Sequence, residues 1–129
     1  MGDLSEHFDS SEFACGCGCG EGTMDIHLIE MLEEVRTLIH KPILITSGIR
    51  CADYNEQIGG VQTSAHIPRN GVCHAADLHV PNSQYRYAIT PLLWSRFQRI
   101  GFGKRFYHVD TLDNPDLVMW DYYNADHVA

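Results

Sequence analysis

The sequence predicts an α+β domain in which a small, mainly antiparallel sheet has helices packed on one side. Segments with helical periodicity alternate with short strand-like segments, and the last two segments are both strand-like, which is typical of an α+β arrangement. The chain has 129 residues, 44% of them hydrophobic and 20% charged, so it can bury a single modest core. We therefore expect one domain over residues 1–129, opening with a Cys/Gly-rich loop segment at residues 1–23.

The first half of the chain predicts a helix, a strand and a second helix. Residues 24–40 repeat apolar side chains at spacings of three and four, which indicates an amphipathic helix that a following proline ends. The apolar run at residues 42–47 predicts a short buried strand. A glycine then turns the chain into a short helix over residues 50–58, followed by a polar loop at residues 61–71.

The second half predicts a strand, a helix and two further strands. Residues 73–80 alternate small or apolar residues with polar ones and end at a proline, which indicates a strand. Residues 83–100 have a helical pattern that Pro91 must kink or divide. Strands are predicted at residues 106–111 and 117–122.

Charge and hydropathy exclude several classes of partner. Seventeen acidic against nine basic residues give a net charge of −8, which argues against nucleic acid and anionic membranes. No stretch approaches the ~20 apolar residues of a membrane helix. The acidic N-terminus lacks the features of a signal peptide, so we expect synthesis in the cytoplasm without one.

Polar side chains on two strands predict a metal site. Alternation puts Asp77 and His79 on one face of their strand, and His108 and Asp110 on one face of theirs. If the two strands are neighbours, these groups converge, and His66 on the preceding loop reaches the same point. Two imidazoles and a carboxylate suit Zn²⁺ with one open position. The alternative is a hydrogen-bonded or solvated strand face, and periodicity alone does not separate the two.

Ordered short motifs spanning roughly three quarters of the chain resemble one family. They are Ile45-Thr-Ser-Gly-Ile-Arg50, Tyr54-Asn55, Gly59-Gly60, Ser64-Ala-His66, Ala75-Ala-Asp77-Leu-His79-Val-Pro81, Ile100-Gly-Phe-Gly103, and Phe106-Tyr-His108-Val-Asp110-Thr111 with Trp120. Together they resemble the zinc D-Ala-D-Ala carboxypeptidase and murein endopeptidase superfamily of peptidoglycan peptidases, which includes phage endolysins and the hedgehog-type zinc fold. The opening Phe13-Ala-Cys15 also resembles phage and bacterial members.

The resemblance implies a set of site residues. His66, Asp77 and His108 would be the zinc ligands, and Arg50 would meet the substrate's carboxylate or the developing oxyanion, a role that suits a planar, permanently charged fork. Tyr54 would contribute to the substrate cleft.

Ser64, the serine of the Ser64-Ala-His66 motif, would also belong to the substrate-binding group by the same resemblance. Tyr107 and Trp120 are further candidates for the cleft wall, with core packing the alternative for at least one of the aromatic residues.

The sequence departs from the family pattern in the loop between the first two ligands. His66 and Asp77 are eleven residues apart, which is longer than usual, and we interpret residues 67–72 as a loop extension of small energetic cost. Cys73 lies on the face of Asp77 and is a competing ligand. His74 would restore a shorter spacing, but strand alternation points it away from Asp77.

The general base is the second departure. Many relatives have an acidic residue three positions before the last ligand, where this chain has Arg105, which cannot accept a proton. Asp110 is the nearest substitute, either as the base or as the group that orients a ligand imidazole. His79 is a third possibility, as a proton shuttle.

The Cys/Gly run is the third departure. Cys15, Cys17 and Cys19 could join Cys51 in a structural zinc site, one of them could form a disulfide with Cys51, or all could stay reduced and unliganded. The sequence leaves these three interpretations open.

The resemblance implies a zinc-dependent hydrolase that acts on peptide bonds of peptidoglycan stems or cross-links, as a carboxypeptidase or an endopeptidase of the endolysin type. Its partner would be the peptidoglycan peptide, its state a monomer, and its place of action the periplasm or cell wall, in phage lysis or in bacteria. The alternatives are a non-catalytic, zinc-stabilised peptidoglycan-binding module and a thiol-based metal or redox protein built on the cysteines.

Overall fold

A computed structural model describes residues 2–113 and 117–123, which form three helices, seven strands and a short 3-10 turn at Ser10–Phe13. The helices and strands follow in the order β1 (Thr23–Met24), α1 (Ile26–Ile39), β2 (Ile45–Ser47), α2 (Ala52–Gln57), β3 (Val72–Cys73), β4 (Ala75–His79), α3 (Ser83–Trp94), β5 (Arg99–Phe102), β6 (Phe106–Asp110) and β7 (Val118–Asp121).

Five of the strands form one sheet in the order β2-β4-β6-β5-β7. All neighbours in this sheet are antiparallel except β5 and β7, which are parallel. β1 and β3 form a separate two-stranded parallel ladder. The prediction of an α+β fold with a mainly antiparallel sheet is confirmed.

The core lies between one face of this sheet and the helices α1 and α3. Leu28, Leu32 and Val35 line the buried side of α1 at spacings of three and four. Leu78 on β4 and Val109 on β6 face them from the sheet. Because side chains alternate along a strand, the intervening residues of β4 and β6 point to the opposite face, where the functional site is.

The predicted helix over residues 83–100 is wrong beyond Trp94. Pro91 lies inside α3, and the helix ends three residues later. Arg99–Phe102, which we expected to be the end of that helix and a turn, is instead strand β5, which pairs with β6 on one side and β7 on the other. Two ladders of backbone hydrogen bonds stabilise an extended conformation that a local periodicity does not reveal.

The predicted strand at residues 73–80 is interrupted at His74. Its first part, β3, pairs with β1, whereas β4 pairs with β2 and β6. The His74 ring lies 3.2 Å from the Asp25 carboxylate, on the side away from Asp77, as alternation predicts. The interruption lets one segment join two different sheets.

The described residues contain no helix with the length and apolar character needed to cross a bilayer.

Leu32 and Leu38 of α1 offer a matched test of the core. Leu32 is fully buried, whereas Leu38 is 51% exposed. We expect Leu32→Ala to lower the free energy of unfolding by about 2–5 kcal/mol, because it removes buried surface and leaves a cavity. Leu38→Ala should cost less than about 1 kcal/mol. Denaturant unfolding of both variants measures the difference, and equal losses would contradict this placement of α1.

Candidate metal centre

The pairing of β4 with β6 puts two of the predicted ligands side by side. Asp77 is the cross-strand partner of His108, and Asp77 Oδ1 lies 3.0 Å from His108 Nδ1. The loop before β3 brings His66 Nε2 to 3.1 Å from the same Oδ1. All three side chains are buried, and their ligand atoms lie within 4.8 Å of one another. The structure therefore brings together the three residues that the sequence predicts as metal ligands.

Backbone hydrogen bonds hold the loop that carries His66. The Arg50 N–H donates to the His66 carbonyl at 3.0 Å, and the His66 N–H donates to Ser64 Oγ at 3.2 Å. The extra residues after His66 form a small hairpin, in which Arg69 and Val72 pair across Asn70 and Gly71. Both turn residues have positive φ, of 54° and 80°, which is why Asn-Gly is favoured there. The loop extension thus folds on itself and leaves His66 in place.

Both imidazoles have an outer hydrogen-bond partner that selects their tautomer. His66 Nδ1 lies 2.7 Å from the Gly48 carbonyl, which can only accept, so this nitrogen carries the proton and Nε2 has its lone pair free. His108 Nε2 lies 2.7 Å from Asp110 Oδ2, which likewise leaves Nδ1 for a cation. Such outer partners are typical of histidines that bind metals.

The charges of the cluster fit a cation site. Burial alone would raise the pKa of Asp77, but the two imidazoles hold this pKa well below its ordinary value. Burial lowers the pKa of His66, which favours the neutral ring. Burial also opposes protonation of His108, but hydrogen bonds to Asp110 and Asp77 raise its pKa. A metal ion would replace the proton on His108 Nδ1, the nitrogen that faces Asp77.

Arg50 is a buried cation beside this cluster. Its side chain is 1% exposed, and it donates from Nε to Ser47 Oγ at 3.1 Å and from Nη1 to Asn55 Oδ1 at 3.0 Å. Nη2 lies 3.7 Å from Asp77 Oδ2 and has no hydrogen-bond partner among the residues that the structure describes. A buried guanidinium nitrogen without a hydrogen bond is costly, so its position indicates a ligand that supplies an acceptor.

An open cleft of about 450 Å³ leads to these residues. Asp77 and Arg50 lie in its wall, together with Tyr54 and Phe106. The ring of Tyr54 packs against Gly16, where a Cβ would clash with it. The cleft gives a substrate access to the carboxylate and the guanidinium from the same side.

Asp110 lies behind His108 rather than in the cleft. Oδ2 accepts from His108, while Oδ1 accepts from Arg99 Nε at 2.6 Å and from the Leu112 N–H at 3.2 Å. Burial would raise the pKa of Asp110, but His108 and Arg99 lower it. With both oxygens engaged on the far side of the ring, this geometry favours the orienting role over that of a proton acceptor.

The remaining predicted site residues lie in different parts of the structure. Tyr54 lines the cleft, as predicted, whereas Ser64 is buried and its hydroxyl accepts the His66 N–H, so it acts on the ligand loop. His79 is half-buried at the end of β4, on the face of Asp77. Cys73, the competing ligand, has its Sγ 3.5 Å from the His66 carbonyl and lies outside the three-residue cluster.

Two aromatic candidates separate onto opposite faces of the sheet. Tyr107 lies in the core, where its hydroxyl lies 2.6 Å from Thr90 Oγ1, so of the two alternatives for this residue the structure shows core packing. Trp120 packs on the His108 ring with centroids 5.5 Å apart. Gly101 on β5 makes room for it, because a Cβ there would clash with the indole.

Two positioning residues were missed in the sequence. Arg99 was assigned to a helix, so its contact with Asp110 could not be anticipated. Asn55 stood in a family motif, but only the structure shows that its side chain braces Arg50 and in turn donates to the Val61 carbonyl at 2.8 Å. Asn55 is 2% exposed. The burial of a polar side chain in a short helix is the signal that would have marked it as a positioning residue.

Comparison with known proteins identifies one family. The family model described as Peptidase M15 matches residues 6–110, which is more than four-fifths of the chain and contains all three candidate ligands. No curated protein matches the chain.

Substitution of Asp110 tests whether the hydrogen bond to His108 supports metal binding. We expect Asp110→Asn to weaken metal binding about 10–100-fold, because the His108 ring loses the anion that fixes its tautomer and raises its basicity. Competition with a chromophoric chelator measures the affinity. Asp113→Asn, three residues along, is the matched control and should bind metal like the wild type. Unchanged affinity in Asp110→Asn would contradict the orienting role.

Proposed function

We propose, from the premise that this chain belongs to the peptidase M15 family, that it is a zinc-dependent peptidase acting on the peptides of peptidoglycan. Family membership makes it a hydrolase of peptide bonds that depends on a metal ion. The observation that carries the finer proposal is the convergence of His66, Asp77 and His108 beside the unsatisfied Nη2 of Arg50, at the wall of an open cleft.

The donor set fits zinc. One carboxylate oxygen and two imidazole nitrogens are the three-ligand set typical of catalytic zinc sites, which keep a further position open. His66 would bind through Nε2 and His108 through Nδ1, since their other nitrogens are engaged. When bound, the ion supplies a Lewis acid that polarises a peptide carbonyl and lowers the pKa of water.

Arg50 binds the negative charge of the substrate in this proposal. Its Ser47 and Asn55 partners hold the guanidinium plane in place, so Nη2 is preorganised before substrate arrives. A terminal carboxylate or a developing oxyanion would provide the missing acceptor, in the form of a charge-assisted hydrogen bond. A free C-terminal carboxylate is a feature of peptidoglycan stem peptides, which supports this substrate class.

Two roles remain, which are the positioning of the His108 ring and the acceptance of a proton, and we assign them to Asp110 and His79. Asp110 is a positioning residue, because it acts through the His108 ring. His79 is our candidate for the proton acceptor, since it lies two residues from Asp77 on the same face of β4, a separation of about 6.6 Å along a strand. It is half-buried and therefore accessible to water.

The place of action follows from the substrate. We propose that the protein works as a monomer at the cell wall or in the periplasm, in phage lysis or in a bacterium. The net charge of −8 is unsuited to broad adhesion to an anionic wall, so recognition would come from the cleft itself.

A second candidate is a peptidoglycan-binding module that holds zinc without cleaving. The observation in its favour is Arg105, an exposed residue at the position where many relatives have an acidic one. The two candidates differ in a single result, which is whether peptidoglycan peptides are cut.

Digestion of purified peptidoglycan tests the proposal. We expect the zinc-loaded protein to release peptides with new termini, identified by mass spectrometry, and to lose this activity after chelation and in His66→Ala, because the ligand set is incomplete. The new termini also show which bond is cut. His27→Ala is the matched control, since His27 is exposed on α1. In the same assay His79→Gln should lower kcat with the metal content unchanged.

Co-sedimentation with peptidoglycan accompanies the digestion. Binding of the zinc-loaded protein without release of any peptide would replace the peptidase by the binding module. Cleavage that survives complete removal of metal would contradict both candidates.

Arg50→Lys tests the charge-binding role separately from the metal. We expect kcat/KM to fall about 10–100-fold, because a lysine cannot reproduce both the fixed plane and the Nη2 hydrogen bond, while zinc stoichiometry stays that of the wild type. Steady-state kinetics on a synthetic stem peptide with a free carboxylate, compared with its amidated form, measures the effect. Equal losses on the two peptides would indicate that Arg50 acts on the oxyanion rather than on the carboxylate.

A further inference from the structure

Four of the five cysteines form a cluster that contains none of the candidate ligands His66, Asp77 and His108. Cys15, Cys17 and Cys19 belong to the Gly-rich segment and Cys51 directly precedes α2, yet their sulfur atoms all lie within 4.8 Å of one another. Sγ of Cys17 lies 3.4 Å from that of Cys15 and 3.7 Å from that of Cys51. The peptidase reaction proposed above uses none of these thiols.

The spacing of the sulfur atoms matches a tetrahedral metal site. Four thiolates at about 2.3 Å from one Zn²⁺ ion lie about 3.8 Å apart along the edges of the tetrahedron. The two sulfur distances given above are close to this value. They are well beyond the ~2.05 Å of a disulfide bond, and all four cysteines are free thiols in the structure.

The backbone of the Gly-rich segment is folded for this convergence. In an extended chain, cysteines two residues apart would be separated by about 6.6 Å. Here the Gly18 N–H donates to the Cys15 carbonyl at 3.0 Å and closes a turn around Cys17. Gly18 has φ of 80°, a left-handed conformation that an L side chain disfavours, so glycine is needed between the cysteines.

Backbone N–H groups point at two of the sulfur atoms. The Cys51 N–H donates to Cys15 Sγ, and the Tyr54 N–H donates to Cys51 Sγ, both at 3.4 Å. Donors of this kind partly neutralise thiolates and orient them toward a metal ion. Cys15 and Cys51 are buried in a small apolar cluster with Ile49 and Cys73, while Cys17 and Cys19 are exposed.

We propose that Cys15, Cys17, Cys19 and Cys51 form a structural tetrathiolate site for Zn²⁺, distinct from the His66 centre. Binding replaces the thiol protons, which pass to solvent, and involves no change of oxidation state. The site has no open position, so it stabilises structure rather than providing chemistry.

A zinc ion at the tetrathiolate site would affect the substrate cleft. Zinc would tie the N-terminal segment to the start of α2, and both segments line the cleft, where Gly16 packs against Tyr54. Arg50 directly precedes Cys51, so the same tie holds the guanidinium near Asp77. The second metal would therefore preserve one wall of the cleft.

Metal analysis under reducing conditions tests the proposal without an activity assay. We expect two equivalents of zinc in the wild type, and one in Cys17→Ser and in Cys19→Ser. Both of these residues are exposed, so the variants should still fold. Glu21→Ser is the matched control, since Glu21 is an exposed residue two positions after Cys19, and it should retain two equivalents.

Cobalt replacement identifies the ligands in the unmutated chain. We expect Co²⁺ to give the sulfur-to-cobalt charge-transfer absorption of a tetrathiolate, which should persist in His66→Ala and disappear in Cys17→Ser. Iron in place of zinc in the purified protein, a single metal equivalent bound by the histidines, or a thiolate charge-transfer absorption that is unchanged in Cys17→Ser would each overturn the proposal. Because these readouts do not depend on peptide cleavage, the tetrathiolate site and the proposed peptidase activity can fail independently.

Discussion

The rest of the site depends on the ionised carboxylate of one buried residue, Asp77. Asp77 is 5% exposed in the middle of a sheet, and an isolated charge there would cost several kcal/mol. Two imidazoles and a guanidinium surround it, at 3.0, 3.1 and 3.7 Å. Their arrangement around the two carboxylate oxygens forms the candidate metal centre, and the same need for positive charge explains why Arg50 is buried beside it.

Each of these partners has a further hydrogen-bond partner that restrains the orientation of its side chain. Gly48 holds His66, Asp110 holds His108, and Asn55 holds Arg50. Arg99 completes this outer layer, since it bonds Asp110 while its guanidinium lies over the Trp120 ring at 5.1 Å. Strand β5, which was not predicted, therefore carries the side chain that connects Trp120 on β7 with Asp110, the partner of the candidate ligand His108.

The separation of the two sheet faces was predictable, because it follows from alternation alone. Apolar Ala76, Leu78 and Val80 face the helices, and Asp77 faces the site, as the pattern indicates. The helix predicted through residue 100 was wrong, because backbone pairing with two neighbouring strands outweighed a local helical pattern. The role of Asp110 was open in the sequence, since the choice depends on which side of the imidazole its oxygens occupy.

The sequence by itself determined the type of fold, the three candidate ligands and the family, because residue types in a fixed order carry that information. Only the tertiary structure decided which atoms meet. The Asp77–His108 register, the hydrogen bond from the His66 ring to the Gly48 carbonyl, and the convergence of Cys51 with the three cysteines of the N-terminal segment all bring together residues far apart in the chain. Those contacts depend on packing and long-range pairing, which no local pattern encodes.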